Sequence, residues 1–116
     1  ELPAGSSVSY GRTYISEQPI RTAVIAAGYA DGHPRRLSNQ GYDTISGKAY
    51  KQIGRICMDM HMVDITGDDI IRPGDEVILW GGSGMSAEEV SQIVGTINYE
   101  LTCLVTRRVT RLYINE

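Results

Sequence analysis

Five aspartates, Asp59, Asp64, Asp68, Asp69 and Asp75, crowd one stretch of the chain. Such a density of carboxylates could serve a divalent cation or an acid–base pair. Asp68, Asp69 and Asp75 lie in Gly/Pro turns, where an aspartate caps its own backbone. No EF-hand spacing links the five, so no metal site is expected. Only Asp59, flanked by methionines in Cys57-Met58-Asp59-Met60, looks placed rather than solvated. His33 and His61 are too few for a zinc site without a Cys-x-x-Cys partner. Gly81-Gly82-Ser83-Gly84 precedes a helix start and could cradle a phosphate. It lacks the P-loop lysine and the GxGxxG spacing, and a turn is the simpler reading. Arg107-Arg108-Val109-Thr110-Arg111 alternates as the solvated face of a strand would. Tyr10, Tyr29 and Tyr99 each stand beside small or polar residues at an element end. There a ring's hydroxyl can project from the core, or the ring can sit in the core with its tip hydrogen-bonded.

The elements that must position these residues are mostly strands. Thirteen glycines and seven tyrosines, with no phenylalanine, favour short strands and tight turns. Strands are expected over residues 7–14, 20–27, 52–58, 62–66 and 75–80, with one or two closing strands over 103–114. The turn Arg72-Pro73-Gly74-Asp75 leads into the fifth. One segment is helical. Ser86-Ala87-Glu88-Glu89 forms a capping box, and Val90, Ile93, Val94 and Ile97 then share one face, with Gly95 as the stop. Residues 28–42 fit neither period and read as a long functional loop. The expected fold is therefore all-β (mainly β), a small Greek-key-like barrel with one short helix near residues 87–94.

Composition narrows the function classes. The 116 residues suit one domain with a core that needs no disulfide or metal. Cys57 and Cys103 sit in apolar stretches and read as buried reduced thiols. A net charge of −3 argues against a nucleic-acid partner. No apolar run approaches the ~20 residues needed to span a bilayer. The opening Glu1-Leu2-Pro3-Ala4-Gly5 reads as a domain cut from something longer.

Four motifs in order carry a resemblance: Val8-Ser9-Tyr10-Gly11-Arg12-Thr13-Tyr14, Gly28-Tyr29-Ala30-Asp31-Gly32-His33-Pro34-Arg35, Gly54-Arg55-Ile56-Cys57-Met58-Asp59, and Asn98-Tyr99-Glu100 with Arg108-Val109 beyond. Together, from about residue 2 to residue 113, they resemble the C-terminal domain of the alanine racemases.

The resemblance implies a cytoplasmic, homodimeric enzyme that uses pyridoxal 5′-phosphate (PLP) to interconvert L- and D-alanine for peptidoglycan. Its Schiff-base lysine belongs to an N-terminal barrel absent from this chain, and residues 1–116 form the β domain that completes the partner subunit's active site. By the same resemblance Tyr10 is the catalytic base on one face of the substrate. Met58 meets the substrate carboxylate, with Asp59 its neighbour at the entrance. Tyr99 bonds the cofactor phosphate, and Tyr29, Arg35, Arg55 and Ile97 line the substrate corridor. Lys48 and Lys51 flank a turn-like segment with no apolar burial to activate an amine. The isolated chain is therefore half an active site. Two other readings stay open: a serine/alanine racemase of a resistance cluster, and a non-catalytic β-barrel binding module.

Overall fold

The computed structural model describes residues 1–114. A two-stranded antiparallel pair, β1 (Ser7–Val8) and β2 (Tyr14–Ile15), precedes the main sheet. That sheet comprises β3 (Thr22–Ile25), β4 (Tyr42–Ile45), β5 (Lys48–Ile53), β6 (His61–Asp64) and β7 (Val77–Ile78). Its order is β3-β6-β5-β4-β7, every pair antiparallel, and it curls into a half-barrel. The mainly β expectation is met. Ile25, Ile45, Tyr50, Val63 and Ile65 fill its concave face.

Helix α1 (Ala87–Val94) occupies the expected residues. Ser86 accepts from the Glu89 N–H, and Gly95 closes the helix in the left-handed region at φ 84°. A second helix, α2 (Asn98–Leu104), corrects the expectation of only one. It buries Leu101 with Val90, Leu37, Ile56 and Met85. No helix among the described residues is long and apolar enough to cross a membrane.

Other expectations are revised by hydrogen bonding. Residues 103–114 contain no strand: Cys103 and Leu104 end α2, and the following backbone bonds to the 28–34 loop instead. Residues 7–14 do not form one strand, because Ser9, Gly11 and Arg12 all take positive φ and make a 3₁₀ turn over Tyr10–Arg12. The 52–58 strand begins earlier, at Lys48, and ends where Gly54 turns at φ 77°. Ser46 and Gly47 form the hairpin tip that leads into it. The cysteine reading also changes: Cys57 is half-buried and Cys103 is exposed on α2. Asp68 and Asp75 do cap their own turns, accepting from the Ile70 and Arg72 N–H groups.

Candidate functional site

Three irregular segments meet on one face of the domain. The first is the 3₁₀ turn bearing Tyr10. The Ser9 hydroxyl donates to the Arg55 carbonyl and lies 3.4 Å from Cys57 Sγ, which ties the turn to the second segment. Gly11 lies over the Arg55 guanidinium, and a Cβ there would sit 2.7 Å from its Nη1. Glycine suits the positive φ of 71° there, while the guanidinium, at the end of a flexible side chain, could move aside from a Cβ.

The second segment, residues 55–59, carries Arg55, Met58 and Asp59. The third, residues 28–34, docks on it backbone to backbone. The Tyr29 and Ala30 N–H groups donate to the Cys57 and Met58 carbonyls at 3.0 and 2.9 Å. A Cβ on Gly28 would overlap those same carbonyls, so only glycine permits the approach. Gly32 in turn packs against the Leu104 carbonyl at the end of α2.

Arg108 pins the assembly from outside. Its guanidinium reaches Asp31 and Asp59, each at 2.8 Å. This corrects the reading of Arg107–Arg111 as a strand face: Arg108 is a bridge, and Arg111 donates to the carbonyls of Val105, Thr106 and Val109. Asp59 is indeed placed, held by that bridge.

Tyr10 and Tyr99 are 71% and 76% exposed, and neither hydroxyl has a hydrogen-bond partner among the described residues. Met58, Tyr29 and Ile97 are also exposed. This settles the two tyrosine readings in structural terms: these rings are not core. Arg35 stands between two clefts, one of about 270 Å³ shared with Tyr29 and Leu104, the other of about 430 Å³ shared with Arg55, Arg36 and Asn39. Tyr10, Tyr29, Arg35, Arg55, Met58 and Asp59 are thus connected through shared turns and clefts. Ile97 and Tyr99 start α2, and only its far end docks on Gly32. A separate groove of about 380 Å³ between β3 and residues 71–77 contains none of these residues.

The family model for the alanine racemase C-terminal domain matches residues 1–113. The chain belongs to the alanine racemase C-terminal domain family. It is 47% identical over 114 residues to an alanine racemase of Chlorobaculum tepidum, covering 98% of this chain and 30% of that one. With an alanine racemase of Halothermothrix orenii it shares 43% identity, covering 100% and 31%. The crystal structure of the biosynthetic alanine racemase of Pseudomonas aeruginosa superposes with a TM-score of 0.92 at 41% identity, covering 99% and 32%. The Bartonella henselae alanine racemase, solved with covalently bound pyridoxal phosphate, gives 0.89 at 37% identity, covering 97% and 32%. This racemase-family domain therefore spans about a third of the length of the relatives it matches.

One group in the domain escaped sequence reasoning. His33, Asp43 and His61 are buried, with donor atoms all within 4.8 Å of one another. Three such ligands could hold a metal. Here the Gln52 amide nitrogen lies among them, donating to Asp43 Oδ1 at 2.8 Å and facing His33 Nε2 at 3.1 Å. Hydrogen bonds link Gln52 to Asp43 and His33 and Asp43 to His61, while His33 Nδ1 and Gln52 Oε1 have no partner among the described residues. Burial lowers the His33 pKa from 6.5 to about 4, with the nearby His61 adding to the effect.

Proposed function

We propose that this domain supplies Tyr10 and the substrate-contact residues of a PLP-dependent alanine racemase, acting in the partner subunit's active site. The observation that carries the reading is the exposed Tyr10 on a turn locked to residues 55–59, with Met58 and Tyr29 on the same face. These groups converge on a surface that the domain's own chain leaves open.

The residues present suit the cofactor in part. Tyr10 and Tyr99 offer free phenol donors, and Tyr99 would donate to the phosphate. Lys48 and Lys51 both stand exposed on β5, Lys48 3.7 Å from Asp68, with no apolar burial to activate either amine. The resemblance to the alanine racemases assigns the Schiff-base lysine to a barrel domain outside these residues. When bound, PLP acts as an electron sink that acidifies the substrate Cα proton.

Racemisation needs a proton removed from one face of Cα and returned on the other, so two bases must flank it. Tyr10 holds a proton at Oη on one of these faces, and the barrel lysine serves the opposite one. A phenol works as a base only where donors or positive charge face its oxygen. The partner barrel is assigned that task, because no group among the described residues bonds the Tyr10 hydroxyl. Met58 meets the substrate carboxylate. Asp59, fixed by Arg108, stands at the entrance, and Tyr29, Arg35, Arg55 and Ile97 line the approach. The product is D-alanine for peptidoglycan, made by a homodimer in the cytoplasm.

The test is racemase activity in the full-length protein, wild type against Tyr10→Phe. Phenylalanine keeps the ring and removes the titratable hydroxyl. Racemisation in both directions should fall about 10²–10⁴-fold with the thermal midpoint unchanged. A folded variant with wild-type activity would make Tyr10 structural and remove the basis of the reading.

A further inference from the structure

The buried cluster beneath residues 28–34 takes no part in the chemistry above. His61, Gln52 and Asp43 come from the adjacent strands β6, β5 and β4 and are almost wholly shielded from solvent. His61 Nε2 lies 2.6 Å from Asp43 Oδ2, and its Nδ1 lies 2.7 Å from the Ala27 carbonyl oxygen. Both ring nitrogens therefore lie within hydrogen-bond distance of an oxygen of a neighbouring element. The Gln52 amide nitrogen lies 3.1 Å from His33 Nε2, and His33 Nδ1 has no hydrogen-bond partner among the described residues. The two imidazoles stack, with centroids 4.4 Å apart and 23° between their planes.

Stability alone explains such a cluster poorly, because a well-packed apolar set of equal volume commonly does as well or better. Its placement explains more. Ala27 immediately precedes Gly28, and His33 closes the turn by donating its N–H to the Gly28 carbonyl at 3.1 Å. The His61 imidazole therefore holds one end of the turn, the His33 backbone N–H closes the other, and the His33 ring stacks on that of His61. The opposite side of the turn is fastened to Cys57 and Met58 with no room for even a Cβ at Gly28. Any shift of Ala27 or His33 is passed to Tyr29 and to the Met58 carbonyl.

We propose that His61, with Asp43 behind it and His33 stacked upon it, is a positioning residue that sets the height of Tyr29 beside Met58. The proposal rests on the functional reading above, in which Tyr29 lines the substrate path and Met58 meets the carboxylate. Tyr10 stands on a different turn, which Ser9 ties to Arg55 and Cys57, so the clamp acts on Tyr29 directly and on Tyr10 only through the 55–59 segment, and its main effect falls on substrate capture.

The experiment uses the full-length protein with His61→Gln, which offers one amide nitrogen where the imidazole faces Asp43 and Ala27 with two, and which cannot stack as a ring. KM for both alanine enantiomers should rise about tenfold, the scale of one buried hydrogen bond lost, while kcat stays within about twofold. Amide hydrogen exchange at Tyr29 and Ala30 should quicken by about tenfold, with helix α1 unchanged. In a Tyr29→Ala background His61→Gln should add nothing further to KM, since both act through one ring. Unchanged KM and exchange, a fall in kcat alone, or fully additive KM effects would each overturn the proposal. If His61→Gln does not fold, His33→Ala takes its place in each measurement, with His33→Phe expected to restore KM by restoring the stacked ring. A wild-type protein without racemase activity would instead sink the functional reading, and the exchange rates at Tyr29 and Ala30 would still judge the clamp.

Discussion

His33 makes the domain sensitive to acid. Desolvation is the chief cause of its lowered pKa, followed by the like charge of His61; Asp43, Gln52 and Asp31 oppose them without prevailing. The groups that face it are His61 on β6, Gln52 on β5, Asp43 on β4 and Asp31 of its own turn, the last already paired with Arg108. The folded ring prefers to be neutral, so below pH 6.5 the unfolded chain binds the extra proton. Stability is thus fully present above about pH 6.5, declines as pH falls, and stops declining below about pH 4. The shift from 6.5 to about 4 corresponds to about 3 kcal/mol of lost stability. Urea midpoints measured from pH 7.5 to 4 should show this slope, and His33→Gln should flatten it. An equal slope in both proteins would assign the acid sensitivity to other groups. Gly28 supplies a second test at this scale. Gly28→Ala forces a methyl into the Cys57 and Met58 carbonyls, which cannot swing aside as a side chain would. A loss of about 1–3 kcal/mol is expected from such overpacking, read as a lower thermal midpoint.

Helix α1 depends on a local device. Ser86→Ala removes the acceptor for the Glu89 N–H and should cost about 1 kcal/mol in urea unfolding; no change would mean that packing of Val90 alone holds the helix start. The same locality made α1 legible in the sequence, since the capping box and the apolar spacing lie within a dozen residues. Helix α2 was not legible because Ile97, at its N-cap, provides no side-chain bond. Its apolar Ile97, Leu101 and Leu104 are interrupted by Thr102 and Cys103, which suit a strand equally well. The β4–β5 hairpin was obscured for another reason. Its buried positions include Asp43, Thr44 and Gln52, while Ala49 is exposed, so the usual alternation of apolar and polar residues is inverted. That inversion marks the buried cluster. His33, Asp43, Gln52 and His61 stand far apart along the chain and meet only when β4, β5 and β6 pair. The exposed face was readable because each motif is contiguous; its closure by Arg108 was not, because that contact spans 49 residues to Asp59.

The whole molecule presents Tyr10, Met58 and Tyr99 outward on a domain that spans about a third of its relatives' length. An active site shared between subunits predicts a specific result on mixing. Under the proposed function, a full-length chain lacking the barrel lysine and a chain with Tyr10→Phe should each be nearly inactive alone. Reassorted together they should regain about a quarter of wild-type activity, since about half of the dimers are mixed and each mixed dimer holds one intact site. No recovery would place Tyr10 in its own subunit's site. The role of Tyr10 itself is tested most directly by exchange of the alanine α-proton with solvent deuterium in the full-length Tyr10→Phe protein. If Tyr10 is the base for one face, exchange of the L-alanine α-proton should fall far more than exchange of the D-alanine α-proton, which the barrel lysine serves. Net racemisation should fall together in both directions, because the equilibrium between enantiomers is fixed. Equal, undiminished exchange on both enantiomers in a folded variant would contradict the account.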